Sequence, residues 1–187
     1  MNLYIEDNFL DDPDSILEWA SATKYYSCKE HPFDSKINSM FPGVRSLPFN
    51  DIDVNLYGYL LYKLIPIYKK FNFDYKQGLY SYAFSKLKAD SDIQWHKDIS
   101  EKEINNNSII NAGVIYLNKE PPYPQESGTK LVINNEVKKI PNAFNRLIMY
   151  DGALEHSPAG TWGETWDDCR LVITIFNTFY KEFKLDS

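Results

Sequence analysis

Histidine and cysteine are both scarce in this chain. Among its 187 residues there are three histidines and two cysteines. Cys28 and Cys169 lie far apart and form no Cys-x-x-Cys pair. That excludes a disulfide framework and a thiolate zinc site, and it points to two reduced thiols in a cytoplasmic protein. Basic charge is in deficit too. Lysine and arginine total 20 against 26 acidic residues, a formal net charge of -6. This balance argues against nucleic-acid binding, because a phosphate backbone asks for a basic face. The Lys69-Lys70 and Lys138-Lys139 pairs read as solvated surface. No apolar run approaches the roughly 20 residues needed to span a bilayer, so no membrane segment is expected. Residues 1–10 lack the basic-then-apolar pattern of a secretion signal. Internal repeats, low-complexity stretches and an interdomain linker are absent as well, and the length suits one domain over residues 1–187.

Aromatic residues are plentiful: 14 Tyr, 11 Phe and 4 Trp. They suit a β-rich core. Residues 2–10 alternate enough for a short strand through Leu3, Ile5 and Phe9. Asp12-Pro13 then opens a helix, Asp as N-cap and Pro at the first helical position, with Ile16, Leu17 and Ala20 facing the core. Residues 27–50 read as loop, with Pro32, Pro42, Gly43 and Pro48. A second helix is expected from about Asp53 to Lys70, carrying Leu56, Leu60, Leu64 and Ile67 on one stripe, with a kink or break at Pro66. After Gly78 the texture turns to strands, at 79–87, 109–117, 130–133, 136–140, 146–150 and 170–180. The pair around Asn134-Asn135 reads as a hairpin. Residues 101–108 and 119–127 are the expected mobile loops. Helices followed by many short strands suggest an α+β, mainly β chain or a helix-buttressed β-sandwich.

The histidines that do occur fall into a pattern: His96-Lys97-Asp98, then His156, then Arg170. Two imidazoles and one carboxylate are the donor set of a non-haem Fe(II) site, which caps one face of an octahedral ion and leaves the other face open. Residues two apart on a strand share a side, so a strand end at His96 and Asp98 places both beside one ion. His156 then comes from another strand, 58 positions on, a gap holding about four strands. A His-x-Asp triplet alone is common and usually carries no metal; the order and the strand context are what give it weight. His31, beside Pro32, has no partner pattern and reads as surface. Arg170 has two readings. Its planar fork suits a carboxylate, with the hydroxyl of Thr174 four residues on and on the same side of a strand. Alternatively it pairs with Asp167 or Asp168 at the strand end.

From His96 to Phe179 the chain resembles the prolyl-4-hydroxylase-like Fe(II)/2-oxoglutarate dioxygenases. The pieces that carry the resemblance are HKD (96–98), GVIYLN (113–118), SGTKLVI (127–133), NRLIMYDGALEHSP (145–158) and RLVITIF (170–176). The resemblance implies a double-stranded β-helix, or jelly roll, over about 78–181, buttressed by N-terminal helices over about 12–71. It implies that His96, Asp98 and His156 bind Fe(2+), and that Arg170, with Thr174 beside it, binds the distal carboxylate of 2-oxoglutarate. Tyr116 matches a tyrosine that contacts the same co-substrate in some relatives; ordinary core packing is its other reading. Gly128 matches a structural glycine. With dioxygen as second co-substrate, the implied reaction is hydroxylation of a peptidyl or free amino acid, proline included, or of another small molecule. Two departures stand out. Ser127-Gly128 replaces a frequent glycine pair, and the interval from His156 to Arg170 is lengthened by residues 160–168. Trp162 and Trp166 in that stretch, with Trp95, read either as an entrance lining or as packing. Two further readings remain beside the dioxygenase: a non-catalytic jelly-roll binding module, and a cupin-like metalloenzyme that uses no 2-oxoglutarate.

Overall fold

The structure, a computed structural model, describes residues 3–32, 41–98 and 108–180. Its elements run β1 (Leu3–Glu6), α1 (Pro13–Ala22), β2 (Tyr25–Ser27), β3 (Val44–Ser46), α2 (Phe49–Ile52), α3 (Val54–Lys70), β4 (Leu79–Leu87), β5 (Ser108–Tyr116), β6 (Gly128–Ile133), β7 (Glu136–Pro141), β8 (Leu147–Asp151), β9 (His156–Ala159) and β10 (Arg170–Tyr180). The helix starts follow from their caps. Asp12 accepts from the backbone N–H of Ser15 at 3.1 Å, and Pro13 takes the first helical position. Asp53 accepts from the N–H groups of Asn55 and Leu56, at 2.7 and 2.9 Å. Pro66 does not end α3, as it was free to do. It sits on the exposed side, where water can take the place of the hydrogen bond it removes. Among the described residues no helix is long and apolar enough to cross a membrane.

Two antiparallel sheets follow. The larger has the order β1-β8-β5-β10-β4-β3-β2 and the smaller β7-β6-β9. Alternation along the central strands sends side chains to opposite faces. One face of the large sheet, with Tyr82, Phe84, Ile115, Met149, Ile173 and Ile175, packs under the helices against Ile16, Phe49, Leu60 and Leu64. The other, with Val114, Tyr116, Ile148, Tyr150 and Val172, meets Leu131 and Ile133 of the small sheet. The β6–β7 turn is Asn134-Asn135, both at positive φ (53° and 64°), which is the twist a two-residue hairpin requires. Gly128 has φ 134°, and a Cβ there would collide with the Ile140 carbonyl oxygen, so its role is structural.

Three expectations need correction. Residues 27–50 are not all loop. β3 lies within them, because Val44 and Arg45 pair with Lys86 and Ser85 on the edge of β4, and α2 starts there at Phe49. His31 is not on the surface; it is 2% exposed, with Nε2 3.1 Å from the Ser46 carbonyl oxygen and its ring edge-on to Tyr26 and Phe41. The proposed mobile stretch 101–107 lies outside the described residues, and Ser108 already starts β5.

Candidate active site

The large sheet's inner face and the edge of β9 bring the singled-out residues together. The chain segment after β4 runs back along β9. His96 and His156 exchange both backbone hydrogen bonds at 2.9 Å, and the Asp98 N–H donates to Gly152 O at 2.9 Å. His-x-Asp therefore sits on a one-residue bridge rather than a regular strand. The outcome is the same: the ligand atoms of His96, Asp98 and His156 all lie within 4.8 Å of one another.

The hydrogen bonding around these three fits a cation. His96 Nδ1 lies 3.0 Å from the Gln94 carbonyl oxygen, and His156 Nδ1 lies 2.9 Å from that of Leu154. A carbonyl only accepts, so each Nδ1 carries a proton, and in that tautomer of a neutral imidazole Nε2 is the lone-pair nitrogen; both Nε2 atoms face Asp98. The Asp98 oxygens stand 3.7 Å from His96 Nε2 and 3.2 Å from His156 Nε2. Despite that proximity, the buried Oδ2 receives no well-directed hydrogen bond. Three acceptors facing one point repel unless a positive charge lies between them. A backbone carbonyl behind each imidazole is the usual outer support of a metal ligand. Burial alone would depress the pKa of His156, but the Asp98 carboxylate and the Leu154 carbonyl outweigh it and hold that pKa above the ordinary value. Exposure marks the open side. The His96 side chain is 45% exposed, against 10% for Asp98 and 5% for His156.

The cluster opens into a cavity whose walls include Arg45, Ser85, Leu87, Thr129, Tyr150, Arg170, Val172, Thr174 and Phe176. Arg170 is 2% exposed. Its Nη2 donates to the Gly128 carbonyl at 3.2 Å and its Nε has no partner. Among the described residues no carboxylate pairs with it, and Asp168 instead accepts from the Thr165 N–H and hydroxyl, each at 2.8 Å. Burial pulls the guanidinium pKa down, while the hydroxyls of Tyr116 and Tyr150 work against that; an arginine stays charged throughout. A buried charge in a cavity wall calls for an anion. Asn118 donates to the Cys169 carbonyl at 2.9 Å and accepts from the Leu171 N–H at 2.8 Å, clamping the start of β10 on both sides.

The other residues singled out divide. Thr174 lines the cavity, but its hydroxyl donates to the Ala83 carbonyl at 3.1 Å and lies 3.3 Å from that of Ser85. Tyr116 is fully buried behind the wall, its hydroxyl 2.7 Å from Thr129 Oγ1 and its ring 5.7 Å from the Arg170 guanidinium carbon. None of Trp95, Trp162 and Trp166 lines the cavity. The 160–168 stretch folds back on residue 89 instead, the Ala89 N–H donating to Gly163 O at 3.1 Å. Reasoning from sequence missed Thr129, Tyr150 and Arg45. The Tyr150 ring lies 4.8 Å from that of His156, tilted by 56°. Nothing within the 145–158 segment singles out its tyrosine, so only the sheet shows where it points.

No protein-family model matches the chain, and no curated protein does. Solved structures do. A prolyl hydroxylase from Trichoplax adhaerens, in complex with a hypoxia inducible factor oxygen degradation domain peptide fragment, is 13% identical with a TM-score of 0.66, over 96% of this chain and 83% of that one. HygX from Streptomyces hygroscopicus, with nickel, 2-oxoglutarate and hygromycin B bound, is 11% identical with a TM-score of 0.68, over 97% and 84%. A prolyl-4-hydroxylase from Pseudomonas putida is 11% identical with a TM-score of 0.58, over 97% and 94%. The chain therefore has the fold that prolyl hydroxylases and HygX share.

Proposed function

We propose that this protein is an Fe(II)- and 2-oxoglutarate-dependent dioxygenase that hydroxylates a small-molecule or peptide substrate. In this reading the strands form one double-stranded β-helix, or jelly roll, over about 78–181, and the N-terminal helices brace it as part of the same domain. The observation that carries the reading is one cavity joining three mutually facing acceptors to a buried arginine that pairs with no carboxylate among the described residues. HygX, of the same fold, holds metal and 2-oxoglutarate.

Iron(II) with 2-oxoglutarate and dioxygen supplies oxidative decarboxylation coupled to hydroxylation of a C–H bond. This chain's residues supply position and a dry pocket. His96, Asp98 and His156 are the metal ligands, held by the carbonyls of Gln94 and Leu154 and by the bridge between the two histidines. Arg170 takes the distal carboxylate of the co-substrate. Thr129 stands in the same wall with Tyr116 behind it, and Thr174 contributes from its place on β10. Leu87, Val114 and Val172 keep water out. A metalloenzyme without the co-substrate, or a binding module that had lost the chemistry, would leave the buried charge of Arg170 without a use.

Anaerobic titration of the Fe(II)-loaded protein with 2-oxoglutarate tests this. A weak visible charge-transfer band is expected, and Arg170→Ala should move its midpoint roughly a hundredfold, about 3 kcal/mol for a charge-assisted pair, with little change in iron affinity. Iron binding without the band would sink the dioxygenase reading in favour of a cupin-like metalloenzyme, and no iron binding would leave a binding module.

A further inference from the structure

One turn serves two of the three metal-facing residues. It runs from Asp151 to Leu154, between the end of β8 and the start of β9, and the Leu154 N–H closes it by donating to the Asp151 carbonyl at 2.9 Å. The Asp151 carboxylate braces the same turn, its Oδ1 accepting from the Ala153 N–H at 3.0 Å. Two carbonyls of the turn then meet the metal-facing residues. That of Gly152 accepts from the Asp98 N–H at 2.9 Å, and that of Leu154 lies 2.9 Å from His156 Nδ1. The turn is also tied to the sheet, because the Gly152 N–H donates to the Ile110 carbonyl at 2.8 Å. The approach is so close that a Cβ on Gly152 would come within 3.1 Å of that same oxygen. Register sets Asp151 across from Asn111 on β5, so their side chains share one face of the large sheet, with Cβ atoms about 5 Å apart. That face is apolar at Ile115, Met149 and Ile173. Asn111 is fully buried in it, and its amide has no hydrogen-bond partner among the described residues. An amide therefore lies within reach of the Asp151 carboxylate.

We infer that Asp151 is a positioning residue of the metal centre: by fixing the 151–154 turn, it aims the Asp98 carboxylate and the His156 imidazole together. The inference rests on the metal ligands proposed above. Asp151 acts on each ligand through the turn. Asp98 is held by its backbone N–H, and His156 by the ring proton that decides which nitrogen faces the ion. His96 has a separate support in the Gln94 carbonyl. Loss of the Asp151 carboxylate frees the Ala153 N–H and loosens the turn. It shifts two ligands of the three and leaves the Gln94 support untouched. What the turn needs is an oxygen acceptor at Oδ1, and the negative charge is incidental. Asparagine offers the same acceptor on the same two-bond arm, so Asp151→Asn keeps the turn and Asp151→Ala does not.

Cobalt(II) titration of the full chain tests it, followed by the visible absorption bands and, in parallel, by far-UV circular dichroism. Asp151→Ala should weaken cobalt binding about 10- to 100-fold, the usual effect of removing an outer support of a metal ligand. It should also change the shape of the bands, which follow ligand geometry, and leave the dichroism as in the wild type. Asp151→Asn should restore both the affinity and the bands. Gly152→Ala presses on the turn from the Ile110 side with the carboxylate still in place, and it should change the bands as Asp151→Ala does. Wild-type affinity and bands in Asp151→Ala overturn the inference. So does an asparagine variant that behaves like the alanine one, since charge rather than the turn would then be at work. Should Asp151→Ala lose its fold, Gly152→Ala decides, and wild-type bands there overturn the inference. A wild-type protein that binds no cobalt is a different result: it removes the metal site itself, and the dioxygenase reading with it.

Discussion

His96, Asp98 and His156 need only their donor atoms and their order in the chain to suggest a metal site, which is why they could be picked out without a structure. The structure adds their arrangement: each Nδ1 lies against a backbone carbonyl, and both Nε2 atoms face one carboxylate. Asp98→Ala and His96→Ala should each abolish tight binding of a divalent metal while leaving the far-UV circular dichroism unchanged. Cobalt(II) absorption spectra report the first and the dichroism the second; wild-type cobalt binding by either variant would remove that residue from the site. Other single residues were not legible. His31 has the sequence context of a loop and the burial of a core residue, because Tyr26 and Phe41, ten positions beyond it, close over its ring. Trp162 read equally as an entrance residue or as packing, and it is 8% exposed and not in the cavity wall. An aromatic side chain serves packing and binding equally well, and sequence does not say which.

Elements were legible where local chemistry is strong. Asp12-Pro13 and Asp53 start α1 and α3 because an acid at the cap satisfies N–H groups that would otherwise have no partner. The Asn134-Asn135 hairpin formed where expected because asparagine tolerates positive φ. Asn134→Val should therefore lower stability by about 1–2 kcal/mol, the cost of forcing a β-branched residue into the left-handed region. Thermal denaturation measures it, and an unchanged midpoint would mean that the turn has another conformation in solution. β2 and β3, of three residues each, escaped notice. So short a segment shows no alternation, and it becomes a strand only because the edge of β4 offers unpaired backbone groups. That same edge pairing brings Arg45 to the cavity.

Across the whole molecule, the start of the described chain is tied to a strand far along it, β1 pairing with β8. Arg146 donates through Nε and Nη2 to the two carboxylate oxygens of Asp7. The paired guanidinium holds the Asp7 carboxyl below its ordinary pKa. A depressed folded-state pKa means that the stabilisation is present above the unfolded-state value, near 4, and is lost as pH falls through the folded value. Asp7→Asn should accordingly melt lower than wild type at neutral pH, with the gap closing as the pH drops below about 4; a gap that widened in acid would contradict the pairing. Binding is felt by the entire fold as well. With metal present, 2-oxoglutarate at 100 times its dissociation constant should add about 2.7 kcal/mol. That raises the melting temperature by roughly 5–10 °C in a chain of this size, and a midpoint unmoved by 2-oxoglutarate would count against any co-substrate site. The order of ligand residues, the helix caps, the hairpin and the helix-then-strand texture all follow from short-range chemistry, and the sequence alone was enough to read them. The identity of the cavity wall was not readable in that way. Thr129, Tyr150, Arg45 and Phe176 belong to four different strands; three of them fall inside the segments that carry the resemblance, but nothing in those segments marks them as wall residues. They meet because strand register and the alternation of faces aim each inward, and register is a property of pairing between distant segments that no local stretch of residues contains.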